Sequence, residues 1–504
     1  MIRFTFDKEE ASKDEKLYTY EDEIGARAYA RTAVFMLMKA VKEKCGDQAQ
    51  LWLEFNYRGN YFLSLSGTEV NENLVKALKA AMQELCRQEI VINRVTFSTG
   101  QALRAVLPEN HDAGLLRYRI NNRVNYHEID GFYGYFADHL LDNTSYIKYF
   151  DLIGFNGGLL LVLPKKGDVS VLGEVTPAGK LFSCQLGSQN WADELGVSSL
   201  SDLNDCVCSG NIEDLMLMQE AIFEKRIGDI AMEIAKEGKK FVFMAGPSSS
   251  GKTTTANRLA VQLRAYGLSP VIISADNYFF GKGRQPLLPN GKPDFESIRT
   301  VDTELFNRDM LRLLSGEEVE LPTYNFILKE REYKGNRIRL GEKKVLIVEG
   351  IHCLNPVFSE EIPEESKFLL YVSALTPLCV DASNHISTSD CRLLRRIVRD
   401  ARTRGYSAAE TIRQWPEVRK GEEENIFPYQ ENARVILNSA MIYELSAIKT
   451  YAEPLLFLIG EDEPEYEEAR RLLKFLSFVL AVPTQTIPIT SVIREFIGGS
   501  YFDV

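Results

Sequence analysis

The stretch that decides the fold runs from residue 241 to residue 255 and reads FVFMAGPSSSGKTTT. Its apolar start, Phe241 to Ala245, predicts a buried strand, and the residues from Lys252 onward predict a helix. Between them, Gly246 to Thr253 matches the pattern G-x4-G-K-[ST], in which glycines let the backbone fold around a phosphate. The loop N–H groups and the positive end of the helix dipole attract that phosphate. The stretch therefore predicts an α/β domain that binds a phosphate-bearing ligand.

Each position of this loop has an expected chemical role. Lys252 would reach the β- and γ-phosphates, and the Thr253 hydroxyl would ligate Mg²⁺. The residues expected to hold the ligand are Gly246, Ser248, Ser249, Ser250, Gly251, Lys252, Thr253 and Thr254.

Around the loop, strand-like and helix-like segments alternate through the C-terminal half of the chain. Short apolar strands that alternate with helices predict a doubly wound parallel sheet covered on both faces. The segments are 270–274, 303–314, 345–349, 368–373 and 390–404. Residues 318–340 break this alternation and predict a hairpin that turns at Lys334–Asn336.

Two carboxylates follow predicted strands, at the sheet edge where open α/β sheets bind ligands. Asp276 comes just after the second strand, where it could accept the proton of an attacking hydroxyl. The alternative role for Asp276 is that of a helix cap or turn residue. Glu349 ends the strand Val345–Glu349 and is placed to serve a Mg²⁺ ion.

Arginines crowd one stripe of a predicted helix, at positions 392, 395, 396, 399 and 402. Such a run is typical of a solvated helix face. In a phosphoryl-transfer domain it also fits a mobile lid whose arginines neutralise the charge that develops during transfer. The acidic balance of the rest of the chain favours the lid.

In their order and spacing, these motifs resemble the uridine kinase and phosphoribulokinase family over about residues 241 to 450. The motifs are GPSSSGKTT, SADNYFF, LPTYNF, VEGI and RLLRRIVRDARTRG. The resemblance implies that Asp276 is the catalytic base for a 5′-hydroxyl and that Glu349 is the Mg²⁺ carboxylate. It also implies that Arg399 and Arg404 are lid arginines that face the phosphates of ATP.

The same resemblance implies an acceptor site. Tyr324 and Gln414 are expected to contact a nucleoside, and Arg396 is expected on the substrate side. Glu296 and Asp302 both lie where the family has a ribose-binding carboxylate, and the choice between them stays open.

Three positions depart from the family pattern. Lys329 stands in place of a base-recognising histidine, Tyr406 in place of an arginine, and Arg434 in place of an aspartate. Lys329 is therefore included among the substrate-binding residues, and an acceptor other than uridine stays open.

The N-terminal half has an α+β pattern with a hairpin at 50–67 that turns at Arg58–Asn60. Residues 131–136 and 144–164 resemble the threonyl-tRNA-synthetase-like region that precedes this kinase in some bacterial proteins. The histidines never form HxxxH, so we expect no editing activity. An aromatic cluster there could stack on a base or pack a core; its members are Tyr133, Tyr135, Tyr146, Tyr149 and Phe150.

Composition limits the class of protein. At roughly 150 residues per domain, 504 residues predict three or so domains. The net charge of -12 argues against a surface that binds nucleic acid or membrane throughout. The eight cysteines form no CxxC and predict no disulfide scaffold. With no signal-like start or apolar span, we expect a cytoplasmic protein without nucleic-acid or membrane partners, and a homo-oligomer stays open.

The predicted division of the chain has five parts. They are an α+β, β-grasp-like region at 1–92, a synthetase-like α+β region at 93–210, a linking helix at 211–239, a kinase domain at 240–460 and a helical extension at 461–504. Residues 199–210 are predicted to form a loop before the linking helix.

The leading hypothesis is a kinase that uses ATP and Mg²⁺ to phosphorylate the 5′-hydroxyl of a nucleoside. One alternative is a kinase for another small alcohol or a sugar phosphate. A second alternative is a nucleotide-dependent RNA-binding or regulatory protein.

Overall fold

The phosphate-loop stretch lies at the centre of a parallel five-stranded sheet. The computed structural model describes residues 3–4, 18–105, 113–165, 167–287, 291 and 294–504. In sheet order the strands are Ser269–Ser274, Lys344–Glu349, Phe241–Ala245, Lys367–Ser373 and Val435–Asn438. The α/β prediction, with a doubly wound parallel sheet in the C-terminal half, is confirmed.

The central strand is apolar throughout because both of its faces are covered. Val242 and Met244 join one hydrophobic core, while Phe241, Phe243 and Ala245 join another on the opposite face. Successive side chains of a strand point to opposite faces, so a sheet packed on both sides requires an unbroken apolar run.

Helices make up most of the remaining regular structure. Their bounds are Glu23–Cys45, Glu72–Arg87, Thr99–Ala105, Ala113–Leu116, Lys180–Glu194, Leu200–Ser209, Ile212–Glu237, Lys252–Ala265, Thr303–Leu314, Thr388–Thr403, Ala408–Asn425, Glu444–Phe457, Tyr466–Leu476 and Arg494–Ile497. Within the described residues, no helix combines the length and the apolar character needed to cross a membrane. The opening residues used to judge a targeting signal lie mostly outside the described ranges.

The N-terminal half contains antiparallel sheets. A four-stranded sheet has the order Gln50–Tyr57, Asn60–Ser66, Gly158–Val162, Asp151–Phe155. Its first hairpin turns at Arg58 and Gly59, with φ of 53° and 86°, the left-handed pair that suits a two-residue hairpin loop. The predicted hairpin and its turn are confirmed. A second sheet has the strands Asn93–Ser98, Arg123–Ile129 and Phe132–Gly134.

Short two-stranded ladders complete the strands. They are 3–4 with 18–19, 164–165 with 168–172, 318–320 with 337–339, 323–325 with 330–332, and 379–381 with 384–385. The hairpin predicted to turn at Lys334–Asn336 is nested instead, because the inner ladder reverses at 326–329. The Asn325 side chain stabilises that reversal by accepting hydrogen bonds from the N–H groups of Ile327 and Leu328.

The helix Ile212–Glu237, here called the joining helix, connects the two halves and ends at Gly238 in the left-handed conformation. This predicted helix is confirmed. The loop predicted at 199–210 is wrong, since Leu200–Ser209 is a helix with a capping box between Ser199 and Asp202. Only two large apolar side chains of that helix, Leu200 and Leu203, are buried, so its apolar pattern is sparse.

The two halves share one hydrophobic core, whose buried members run from Ala102 to Ile497. The Asn204 side chain links the two halves, because it donates to the Phe478 carbonyl at 2.8 Å and accepts from the Leu480 N–H at 2.8 Å. The aromatic cluster of the N-terminal half is mostly packing as well. Tyr135 and Phe150 are buried and Tyr133 and Tyr146 pack against the cores, while Tyr149 is 38% exposed.

Candidate active site

The phosphate loop has the backbone shape that its sequence predicts. Ser249 and Gly251 take positive φ values of 59° and 79°. A Cβ on Gly246 would lie 2.1 Å from the Val372 carbonyl oxygen, so only glycine fits there. The hydroxyls of Ser249 and Ser250 are buried and have no hydrogen-bond partner among the described residues. Unpaired donors on a loop of this shape suit the oxygens of a bound phosphate.

Lys252 lies between the loop and a group of carboxylates. Its Nζ donates to the carbonyls of Gly246 at 2.9 Å and Pro247 at 3.1 Å. Its charge also opposes the rise in pKa of Asp276, Glu296 and Glu349. The structure therefore brings the predicted loop lysine together with both strand-end carboxylates and with Glu296.

Asp276 lies in a one-turn helix, Ala275–Tyr278, at the carboxyl edge of the sheet. The side chain of Ser274 caps that turn by accepting from the Asp276 N–H at 3.3 Å, so the capping role belongs to Ser274. Burial raises the pKa of Asp276 to about 6, with Lys252 acting against the rise and Glu296 adding to it. A carboxylate with this pKa can take up a proton near neutral pH.

Glu349 stands beside Asp276 because their strands are in register. Glu349 pairs with Ser274 on one neighbouring strand and with Met244 on the other. A Cβ on Gly350 would come within 2.6 Å of the Ala275 Cβ, so glycine permits this close approach. Burial raises the pKa of Glu349 to about 7, opposed by Lys252 and supported by Asp276. Excess negative charge at such a site suits a divalent cation with oxygen ligands, and the hydroxyl of Thr253, the residue after Lys252, is a further oxygen donor on the loop.

The predicted arginine stripe lies on the helix Thr388–Thr403, here called the arginine helix. Arg392 is buried, donates to the Ser248 carbonyl at 3.0 Å and pairs with Glu422. Arg395 is also buried, donates to the Ser249 carbonyl at 3.3 Å and pairs with Glu444 at 2.5 Å. The interpretation of a solvated helix face is wrong for these two arginines, because they are buried and donate to carbonyls of the phosphate loop.

The later arginines of the stripe surround Asp400. Arg396 donates to the Ser248 hydroxyl at 3.0 Å and lies 3.2 Å from Asp400. Arg399 pairs with Asp400 at 2.7 Å, and Arg404 lies 3.6 Å from it. The Arg404 charge also opposes the raised pKa of Asp276. One buried carboxylate thus orients three cations on the phosphate side of the site.

Glu296 and Asp302 have different surroundings. Glu296 packs against Gly421, and burial and the neighbouring Glu422 raise its pKa to about 7 while Arg396 opposes the rise. Asp302 caps the helix Thr303–Leu314 by accepting from the Leu305 N–H at 3.0 Å, and it pairs with Arg331 at 3.1 Å. The structure therefore groups Glu296, and not Asp302, with the site carboxylates.

Tyr324 lies in an aromatic cluster beside the turn that carries Asp276. Its ring contacts Phe279 with centroids 5.5 Å apart, and its N–H donates to the Asn277 side chain at 3.1 Å. Its hydroxyl accepts from Gln285 at 2.6 Å. The sequence does not predict this role of Gln285, because Gln285 and Tyr324 are 39 residues apart in the chain and meet only in the folded protein.

The remaining predicted acceptor residues lie further out. Lys329 is exposed at the reversal of the inner hairpin, with φ of 56°. Gln414 is half-buried on the helix Ala408–Asn425. Among the family departures, Tyr406 is 42% exposed, and Arg434 pairs with Glu233 and Glu237 of the joining helix. Arg434 therefore links the sheet to the joining helix.

Comparison with known proteins identifies the C-terminal half. Residues 241–445 match the model of the Phosphoribulokinase / Uridine kinase family. A uridine kinase of Mycoplasma genitalium is 32% identical over 177 residues, which cover 35% of this chain and 74% of that protein. A uridine kinase of Staphylococcus carnosus is 29% identical over 196 residues, 38% of this chain and 84% of that protein.

Among solved structures, one described as a possible uridine kinase from Bacillus stearothermophilus is 20% identical, with a TM-score of 0.25 over 29% of this chain and 79% of that chain. The loop and both strand-end carboxylates lie within the 205 residues that match the family model. The chain thus belongs to the phosphoribulokinase and uridine kinase family of P-loop kinases.

Proposed function

We propose that this chain transfers the γ-phosphoryl group of ATP, with Mg²⁺, to the 5′-hydroxyl of a nucleoside. The observation that carries the proposal is the position of Asp276, half-buried at the sheet edge within electrostatic reach of the loop lysine Lys252. A phosphate loop and a carboxylate of raised pKa at one edge are the parts that phosphoryl transfer to an alcohol needs.

The proton and the charge have separate partners in this mechanism. The Asp276 carboxylate accepts the proton of the acceptor hydroxyl. At the same time the hydroxyl oxygen bonds to the γ-phosphorus, and the bond between that phosphorus and the ADP oxygen breaks. Bound Mg²⁺ would neutralise phosphate charge, and Thr253 and Glu349 would hold it. Lys252, Arg399 and Arg404 stabilise the charge that develops on the transferring group.

Two features support a nucleoside as the acceptor. Tyr324 and Phe279 are buried next to the turn of Asp276, and Phe326, which packs on both of them, is 60% exposed and offers an aromatic surface on which a base can stack. Glu296 lies on the same side and can accept hydrogen bonds from ribose hydroxyls. These residues lie within the range that matches the family model, and the relatives named uridine kinases support a nucleoside acceptor.

A panel of acceptors tests the proposal on the purified full chain. Uridine, cytidine, purine nucleosides and phosphorylated sugars are incubated with ATP and Mg²⁺, and ADP release is measured. We expect nucleoside-dependent ADP release with a nucleoside 5′-monophosphate as product. We expect Asp276→Asn to lower kcat by about 10²- to 10⁴-fold, the range for loss of a general base. Full turnover by Asp276→Asn or by Lys252→Ala would refute the assignment.

The second candidate is a kinase for an anionic alcohol such as a sugar phosphate. It is favoured by Lys329, which stands in place of the family histidine on the hairpin beside the aromatic cluster. In the same panel, ADP release with phosphorylated sugars alone would select this candidate. Lys329→Ala would then raise the KM of the sugar phosphate, whereas we expect little change with a nucleoside.

We infer the same five-part division of the chain that its sequence suggests, with the kinase at 240–460 and an extension at 461–504. The joining helix and the parallel sheet support the central boundary. A synthetase-like origin for residues 93–210 remains a proposal from sequence resemblance. Filter binding of tRNA-like RNA to residues 1–205 at low salt tests whether that region binds RNA, and we expect no retention.

A further inference from the structure

The end of the chain packs against the phosphate loop. Residues 490–498, here called the C-terminal segment, lie outside the region that matches the family model. Val492, Ile493 and Phe496 of this segment are fully buried. A Cβ on Gly251 would come within 2.4 Å of the Val492 side chain, so the segment touches the loop directly.

Glu495 makes the most specific contact of the segment. One oxygen of its carboxylate accepts two hydrogen bonds from Thr254, from the N–H at 3.1 Å and from the hydroxyl at 2.7 Å. Thr254 lies in the first turn of the helix Lys252–Ala265. The N–H groups of a first turn have no partner within the helix, and after a phosphate loop they are available to phosphate oxygens.

The segment is held in place from the other side by the arginine helix. Arg402 donates to the carbonyls of Glu495 at 2.7 Å and Phe496 at 3.1 Å. The Arg395 guanidinium lies over the Phe496 ring, 5.0 Å from its centroid. Arg395 also donates to the Ser249 carbonyl, so the loop, the arginine helix and the C-terminal segment form one connected structure.

This connection fixes which loop donors remain for a nucleotide. Because Glu495 takes the Thr254 N–H and Glu422 takes the Ser248 N–H, the donors left for phosphate oxygens lie between these two residues. The Glu495 charge also reaches the metal side of the site, where it adds to the raised pKa of Glu349. The Glu495 carboxylate therefore fixes the first turn of the helix Lys252–Ala265. It also limits which N–H groups of the loop can bind the phosphates.

We propose that Glu495 is a positioning residue of the phosphate loop, and that the C-terminal segment is part of the nucleotide site of this kinase. The inference rests on the proposed function, since it names a further residue on which ATP binding depends. Glu495 acts through Thr254 and does not take part in proton transfer.

Glu495→Ala and Glu495→Gln test the proposal on the full chain. The amide oxygen of glutamine can still accept from Thr254, whereas alanine leaves both donors without that partner. We expect Glu495→Ala to weaken ADP binding in the presence of Mg²⁺, measured by isothermal titration calorimetry, about tenfold. We expect the KM of ATP to rise by a similar factor with the KM of the acceptor unchanged, and Glu495→Gln to restore ADP affinity to within about threefold.

A matched variant separates positioning from stability. Val482→Ala removes two buried methyl groups from the same extension, and we expect it to lower the Tm without changing ADP affinity. Unchanged or tighter ADP binding by Glu495→Ala would overturn the proposal. Unchanged binding would mean that the carboxylate has no effect on the nucleotide, and tighter binding would mean that it competes with phosphate. If the alanine variant fails to fold, Glu495→Asp replaces it, and equal ADP affinities of the Asp and Gln variants would count against positioning.

The outcome is independent of the acceptor. A protein that binds ADP but phosphorylates no nucleoside would end the proposed function and leave the role of Glu495 measurable by calorimetry.

Discussion

At the scale of single residues, the site depends on a carboxylate whose pKa is raised by its surroundings. Burial raises the pKa of Asp276 to about 6 even though Lys252 lies nearby. A pKa closer to neutral pH makes the carboxylate a stronger base, which accepts a proton more readily in the transition state. The cost is that the base becomes protonated, and inactive, in mildly acidic solution.

The pH dependence of turnover should show this directly. Asp276 acts as a base only when it is deprotonated, so activity is present above its pKa and is lost as the pH falls through about 6. We expect kcat/KM for the acceptor to fall about tenfold for each pH unit below that value. A profile measured from pH 5 to pH 9 at saturating ATP checks the expectation.

The Asp276→Asn variant is the control for that profile. Its residual activity should lose the acidic limb near pH 6, because asparagine does not titrate. An unchanged limb in this variant would assign the titration to another group, of which Glu296 and Glu349 are the neighbours with raised pKa values.

A second residue-scale prediction separates Glu296 from Asp302. Glu296 faces Arg396 and Lys252, whereas Asp302 caps a helix and pairs with Arg331. We expect Glu296→Gln to raise the acceptor KM about tenfold with little change in Tm. We expect Asp302→Asn to lower the free energy of unfolding by about 1 kcal/mol with the acceptor KM unchanged. Steady-state kinetics and urea unfolding of both variants check this, and a reversed pattern would place the acceptor near Asp302.

At the scale of elements, the sequence predicts what is decided locally. The strand Phe241–Ala245 and the loop after it follow from a continuous apolar run and a fixed spacing of glycines and lysine. The helix Leu200–Ser209 is not predicted because its apolar pattern is short, although the capping box between Ser199 and Asp202 is a local signal of its start. The hairpin reversal at 326–329 was missed because Gly335 is the usual turn residue, whereas the Asn325 side chain stabilises the actual turn.

The same distinction applies to the site. Lys252, Asp276 and Glu349 follow directly from strand ends, which the sequence marks. Glu422 and Glu495 act on the loop from 174 and 241 residues away in the chain. Such contacts come from tertiary packing, and no local pattern in a single sequence indicates them.

The arginine helix leads to an element-scale prediction. Glu422 pairs with Arg392 in a buried position and also accepts from the Ser248 N–H at 3.0 Å. Glu422→Ala leaves the Arg392 guanidinium buried without its carboxylate, which costs about 3 to 5 kcal/mol for pairs of this kind. We expect that loss of unfolding free energy in urea together with weaker ADP binding.

A double variant shows whether the pair serves stability alone. Replacement of both partners by apolar residues, Arg392→Met with Glu422→Leu, removes the unpaired charge and should recover much of the lost stability. ADP affinity should stay low in the double variant, because the Ser248 contacts are not restored. Recovery of both properties would mean that the pair does not shape the loop.

At the scale of the whole molecule, the kinase half is joined to the N-terminal half by backbone and side-chain contacts. The Leu53 N–H donates to the Ala382 carbonyl at 2.9 Å, so a hairpin of the kinase half meets an edge strand of the N-terminal sheet. On the far side, the Lys180 N–H donates to the Glu431 carboxylate at 2.7 Å. These contacts and the shared core make the first 210 residues part of the support of the kinase.

A truncated chain tests this dependence. Residues 211–504 keep the joining helix and every site residue named above but lose the partners of Val380 and Phe478, which are buried in the intact chain. Exposed apolar surface destabilises the fragment and favours association. We expect a Tm at least about 10 °C below that of the full chain, or aggregation, in circular dichroism and light scattering. Within the intact chain, Asn204→Ala should lower the Tm by a few degrees because the Phe478 carbonyl and the Leu480 N–H lose their partner, whereas Ser209→Ala on the exposed end of the same helix should not. A fragment with full stability and full ADP affinity would show that the N-terminal half serves a purpose separate from support of the kinase.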